Sequence, residues 1–508
     1  MKRSLPAAWP WPWLALALVG LLSLGNAWRY GTWVANPLVL ADSWYFLDAF
    51  VEPWAEGSLG WQQFFEKRDS SDHAQPLHRA SLWLNLEWAG LDFRFEAVIG
   101  LIGLSLCVLL LCLLAWRHLR RHAQPGASAR AISVPLLLLP AMALSLNSHE
   151  IYYWSLVNFF HLSLLPALLL MAFVCWQFGA TDAKVRRGSL VLAMALSLLV
   201  QVALDGAGLL AVAALLPVLV WAGWRLGQWR RAAAFAVAIA AGLLLYRGLY
   251  ASLMPPVAAS QSGGLLPALG WLLAHASEAW RWLLLPATAS IVQPLHLPFW
   301  LPQAALVPVQ HGLGVLVLAA HAAFWWSQLR DRQPAPLSLF AAALMLLSYG
   351  MLAGILLSRL PVYGTEYLLQ SRYVGFYQLA NSALLLQLLV VLARAPRLSR
   401  VPAAALGLLL VAGLSLQVLL SQRAWEQGVH IRQYSRDMAS NLVCLGAHPG
   451  QAAPVCQPGN VICQSPPEHR DRLFALLQSR QLNLYAPGFL DRHGLDEGLN
   501  PASCLVGP

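Results

Sequence analysis

Charge is what this chain has least of. Asp, Glu, Lys and Arg make up only 11% of its 508 residues, less than half the roughly 25% of an ordinary soluble domain. A water-facing surface cannot be built from so few charges, and the 58% hydrophobic content calls for lipid as the solvent. Paired CxxC motifs and an HExxH helix are both missing, which removes the commonest zinc frameworks. No internal repeat and no low-complexity linker is visible. A clear small-x-small cleavage site is also missing after the basic start Lys2 and Arg3, so the apolar run through Leu24 reads as a first span.

What is present is a series of apolar runs long enough to cross a bilayer. They fall near 10–27, 97–116, 131–147, 155–176, 189–204, 207–224, 232–250, 311–327, 337–358, 374–393 and 402–421, giving an all-α polytopic membrane protein of about eleven transmembrane helices. The stretch from Gly263 to Pro308 is rich in Pro and carries Glu278 and Arg281; it reads as interfacial helices, or as two further crossings that would leave both ends where they are.

The formal charge of +10 is no sign of a nucleic-acid partner, because the basic residues sit in short clusters between spans. Lys2 and Arg3, Arg117 to Arg130, Lys184 to Arg187, Arg225 to Arg231, Arg330 to Arg332, and Arg394 to Arg400 all fall on one side. Only Asp182 and Asp331 accompany them as acids. That asymmetry predicts a cytoplasmic N-terminus and a C-terminus on the opposite face, which is the periplasm if the membrane is a bacterial inner membrane. Residues 1–421 then form the membrane domain, with 28–96 as its first periplasmic loop, and 422–508 an exported C-terminal domain. Cys444, Cys456, Cys463 and Cys504 all lie in that tail, which predicts two disulfides with three pairings open.

The first outer loop carries ten acidic residues between Asp42 and Glu96. Trp44, Phe46, Leu47, Phe50 and Trp54 fall near one helical face, as do Leu82, Trp83, Leu86 and Trp88, which predicts two helices lying on the membrane surface. Asp42 is the leading catalytic carboxylate, brought to the membrane edge by the preceding apolar segment; the alternative is an N-cap on a helix starting at Ser43. Asp48 is available as a second carboxylate. Asp72, His73, His78 and Arg79 form a dense polar run, in which Arg and His suit phosphate oxygens, or else a surface turn before a helix.

Three other places draw attention. His149 and Glu150 follow the third span with almost no soluble loop around them, which puts them at a cavity rim or a plain helix end. Arg372, beside Tyr373, is a basic residue on the acid-rich side at the start of a span; it suits a lipid phosphate, or simply snorkels. Asp205, in the turn DGAG, reads as a turn residue.

Taken together, the early carboxylate, the long first outer loop, the many spans and the exported tail resemble the GT-C superfamily of membrane glycosyltransferases. The residues that carry the likeness are Asp42, Ser43, Trp44 and Tyr45, then Asp72, His73, Pro76 and Arg79, then Ser371, Arg372 and Tyr373. The resemblance implies transfer of a sugar from a polyprenyl-phosphate donor to a glycan, lipid or protein acceptor outside the cytoplasm. Asp42 would be the general base and Arg372 would hold the donor phosphate, with Arg79 and His78 as further phosphate ligands. Asp48, Asp72, His73, His149, Glu150 and Tyr373 would line the substrate cavity. No cofactor is demanded by the spacing, although the acids leave room for a divalent metal. A flippase or a polymerase for lipid-linked saccharides are the competing classes, since both would use a similar cavity.

Overall fold

The computed structural model describes residues 10–67, 74–124, 127–179, 185–254, 264–395, 399–450 and 461–496, with the side chains of 10–13 left aside. Among these the chain is helical and no strand occurs. The long helices are α1 (Pro10–Val34), α2 (Phe93–His122), α3 (Ala129–Ala143), α4 (Phe160–Gln177), α5 (Arg187–Leu204), α6 (Gly206–Arg225), α7 (Trp229–Leu253), α8 (Gln303–Arg330), α9 (Pro336–Ser358), α10 (Ser371–Arg394) and α11 (Arg400–Ala447). Among the described residues ten helical stretches are long and apolar enough to cross a membrane, the pattern of a multi-pass membrane protein. They coincide with ten of the runs expected from sequence, and α1 occupies the place of the remaining one.

Local chemistry sets the ends of these elements. Asp92 caps α2 by accepting the Arg94 N–H at 2.9 Å, Ser128 caps α3 from the Ala131 N–H at 3.3 Å, and Gly90 closes the helix Pro76–Ala89 in the left-handed region. Packing then depends on close approach. A Cβ on Gly103 would stand 2.4 Å from the Leu162 backbone, so α2 and α4 meet there only because the side chain is absent. Helices α9 and α10 form the centre of the bundle, and Leu337 to Leu344 of α9 are buried without interruption. The periphery is the reverse: Leu18, Val237, Leu316 and Leu408 are 59–70% exposed, a surface that only lipid tails would cover.

The basic interhelical segments gather at one end of the bundle. Arg394 pairs with Asp331 at 2.7 Å, Arg231 donates to the Gln177 carbonyl at 2.7 Å, Arg225 donates to the Leu329 carbonyl, and the Gln124 N–H reaches the Ala393 carbonyl at 3.0 Å. The opposite end, which we call the first-loop face, carries the acid-rich segments.

Two expectations change in detail. The surface helices of the first loop bury their apolar side against the C-terminal tail: Trp44, Phe46, Leu47, Phe50, Leu82 and Leu86 share one core with Met438, Leu442, Phe474, Leu477 and Phe489. Trp83 and Trp88 alone of their set remain exposed, at 41% and 74%. The helix Pro76–Ala89 therefore turns Leu82 and Leu86 to the shared core and leaves Trp83 and Trp88 uncovered. In the Pro-rich stretch, Leu265–Ala274 buries only Ala268, as an interfacial helix would. The next helix, Ala279–Ile291, packs against α8 and α10 and buries Trp282 and every residue from Leu285 to Ser290, so it belongs to the bundle interior.

Helix α11 runs unbroken through residue 421, where the sequence suggests a domain boundary, and carries the last apolar run directly into the tail. Cys444 is disulfide-bonded. Cys456 and Cys504 lie outside the described residues, and the Cys463 thiol donates to Asn441 Oδ1 at 3.5 Å.

Candidate functional site

Two sets of ionisable side chains stand on the first-loop face. One is built on the turn between α5 and α6. Asp205 makes that turn with φ 43° and ψ −111°, a left-handed backbone that costs a non-glycine residue about 1–3 kcal/mol. Its carboxylate is 1% exposed. It accepts from Lys67 Nζ at 2.6 Å, the Ala74 N–H at 3.2 Å, Tyr246 Oη at 3.3 Å and Arg247 at 3.3 Å. Lys67 also lies 4.9 Å from the Tyr250 ring centre. The first loop is thereby tied to α5, α6 and α7 through one buried acid. Two cations offset the cost of burying it.

Asp205 is more than the turn residue its sequence context suggests. The signal was there to find: between Glu150 and Glu278 the only acids are Asp182 and Asp205, and Arg247 is an unmatched base near the first-loop end of α7. Asp72 and His73, which directly precede Ala74 in the chain, lie outside the described residues.

The second set surrounds the start of α10. Ser371 donates to Glu150 Oε2 at 2.5 Å and accepts from Gln293 Nε2 at 3.1 Å. Asn147, buried, donates to the Ala289 carbonyl at 2.7 Å and accepts from the Gln293 N–H at 2.8 Å, which fixes the helix Ala279–Ile291 against the turn after α3. The next residue, Arg372, donates to the Tyr367 hydroxyl and lies 5.3 Å from the ring centres of Tyr367 and Tyr373 and 5.9 Å from that of Trp154. Among the described residues no carboxylate pairs with it, and its buried Nε has no partner. Aromatic faces hold such a cation without neutralising it.

His149 is buried beside His296, with ring centres 5.4 Å apart, and Tyr30 stands edge-on to it at 6.4 Å. Burial holds His296 below the ordinary imidazole range; Arg423 acts in the same direction, while the Asn147 carbonyl and Glu150 oppose it. It is therefore neutral near pH 7. Glu150 is exposed at the rim.

The structure distributes the other expected residues unevenly. Asp42 is half-buried and makes no capping hydrogen bond to the helix that follows it, so the N-cap alternative does not hold. Asp48 faces the tail: His469 Nε2 is 2.8 Å and Arg472 2.5 Å from its oxygens, and Arg472 also binds Glu52. That geometry ties the loop to the tail and takes Asp48 away from the cavity expected for it. His78 is 3% exposed, contacts the fully buried Glu96 at 3.0 Å and is packed between Phe46 and Phe159. It is the buried partner of Glu96, so the alternative of an exposed turn residue does not hold. Arg79, 2% exposed, reaches the Gln63 carbonyl and lies over Phe46. Thus Arg372 and Tyr373 come together, Glu150 meets the adjacent Ser371, His149 stands against His296, and Asp48 and His78 are engaged elsewhere.

Trp154 connects the two halves. It packs on the first-loop core that contains Trp44, two residues from Asp42, and its ring also lies against the Arg372 guanidinium. Among the described residues no three His, Cys, Asp or Glu side chains converge into a metal-binding group. No protein-family model matches the chain, and neither a curated protein nor a solved structure matches it.

Proposed function

We propose that this protein is a GT-C-type membrane glycosyltransferase that moves a sugar from a polyprenyl-phosphate donor to a glycan, lipid or protein acceptor on the periplasmic face. The observation that carries the reading is the Arg372 guanidinium, held at the start of a span between Trp154, Tyr367 and Tyr373 with no carboxylate partner among the described residues. Keeping a cation uncompensated at a membrane boundary is costly unless an anion arrives there. The donor's lipid tail would stay in the bilayer and deliver its phosphate at that level.

In the proposed step an acceptor hydroxyl oxygen attacks the anomeric carbon and the bond from that carbon to the phosphate oxygen breaks. The bonding pair leaves with the phosphate, whose growing charge Arg372 offsets. The hydroxyl proton goes to Asp42. A single displacement inverts the anomeric configuration. Glu150 and Ser371 would orient the acceptor beside Arg372.

The test is reconstitution of the full chain in proteoliposomes with a polyprenyl-phosphate sugar and a cell-envelope acceptor fraction. Transfer with inversion is expected, and Asp42→Asn should lower its rate by about 10² or more. Full activity in Asp42→Asn would remove the base assignment. Movement of the lipid-linked sugar across the bilayer without its consumption would replace the reading by a flippase.

A further inference from the structure

A cleft of about 540 Å³ that shares no residue with the surroundings of Arg372 lies between α1, α2 and α11 and is lined by Arg29, Thr32, Trp33, Arg94 and Trp425. We propose that it binds the phosphate group of a membrane lipid in the leaflet on the first-loop side. Two guanidinium groups from different helices converge there. Among the described residues neither forms an ion pair with a carboxylate: Arg29 lies 5.4 Å from the Trp425 ring centre, and Arg94 is steered by the Thr32 carbonyl at 2.7 Å and His493 Nδ1 at 3.0 Å. The nearby acids are turned to other partners. Asp92 Oδ2 is 2.8 Å from His493 Nε2, and Glu426 pairs with Arg423 at 3.0 Å. The cleft is therefore cationic and its lining holds no carboxylate.

Its position distinguishes a lipid from a free anion. On α1 the residues Leu14, Leu18 and Leu22, 58%, 59% and 64% exposed, recur every fourth position and lead along one face to Arg29. On α11 Val411 and Val418, 63% and 67% exposed, recur every seventh position and lead to Trp425. The two helices touch where Asn26 meets Ser421 at 3.0 Å and Trp425 at 3.0 Å. An acyl or prenyl chain lying along these apolar tracks would place its headgroup at the two arginines. Trp33 and Trp425, stacked with ring centres 5.1 Å apart, form an aromatic wall of the kind found at headgroup depth. Snorkelling accounts for one arginine on a lipid-facing helix; it does not account for a second one reaching the same cleft from α2. None of these residues belongs to the transfer site, so the inference does not rest on the transfer reading.

The test is native mass spectrometry of the full chain in detergent, titrated with short-chain phosphatidic acid, with phosphatidylcholine of the same chain length, and with inorganic phosphate. The wild-type chain should retain phosphatidic acid at least tenfold more strongly than the other two. Arg29→Gln, which removes an exposed side chain with one ring contact, should lose that preference, and Arg29→Lys should keep part of it. Thr32→Asp, which adds an acid to the cleft and removes no arginine, should lose it too and serves where Arg29→Gln does not fold. Equal retention of phosphatidylcholine, equal binding of inorganic phosphate, or unchanged phosphatidic acid retention in folded Arg29→Gln or Thr32→Asp would each overturn the proposal.

Discussion

The lobe formed by the first loop and the tail and the region around the start of α10 handle their charges in opposite ways. In the lobe and its anchor, ionisable groups answer one another: Asp48 and Glu52 meet Arg472 and His469, Glu96 meets His78, and Asp205 meets Lys67 and Arg247. Around α10, Glu366 and Glu278 do pair with Arg281, but Glu150 has a serine and Arg372 has tyrosines and a tryptophan. The same residue types thus serve as fasteners in one region and stand open in the other. Density of acids in a sequence points to the fasteners, and it is the uncompensated charge that points to a site.

That contrast can be broken most severely at Asp205. Asp205→Asn leaves two cations near a neutral amide in a buried turn, and loss of one partner from such a group typically costs about 3–5 kcal/mol. A large fall in the thermal midpoint, together with protease access to the first loop, is expected; a midpoint within a degree of wild type would show that the loop is held by its apolar core alone. A smaller effect of a different kind is expected at Arg372. Arg372→Gln should leave the midpoint nearly unchanged and raise the KM for the lipid-phosphate donor about tenfold, the equivalent of roughly 1.4 kcal/mol. A collapse of folding there would class Arg372 with the fasteners. The smallest effect belongs to Asp48→Asn, which removes half-exposed pairs with His469 and Arg472. Such pairs contribute about 0.2–1 kcal/mol, so the midpoint should drop slightly, less at high salt, with transfer intact. Loss of transfer in that variant would restore Asp48 as a second catalytic carboxylate.

How far the sequence discloses this arrangement depends on the range of the interaction. Apolar runs and basic clusters are local patterns, and ten of the runs stand as membrane-length helices where hydropathy puts them. The positions of His149, Glu150 and Arg372 near span ends are equally local, and the contact of Glu150 with Ser371 follows from the spans beside them. Partners far apart in the chain are another matter. Asp48 and Arg472 are separated by more than 400 residues, and no periodicity relates them, so the loop residue reads as a cavity acid until the tail is seen against it. His78 fails for a related reason: its burial comes from Glu96, Phe46 and Phe159, each from a different segment. Asp205 is hidden by its own turn, because a short DGAG sequence has a sufficient local explanation.

The central claim is that the open cation at the start of α10 receives a lipid phosphate. Its most direct test is equilibrium binding of a polyprenyl phosphate to the purified full chain, compared between wild type and Arg372→Gln at matched thermal stability. A loss of affinity of about tenfold or more in the variant is the expected result. Equal affinity in the two proteins would contradict the account.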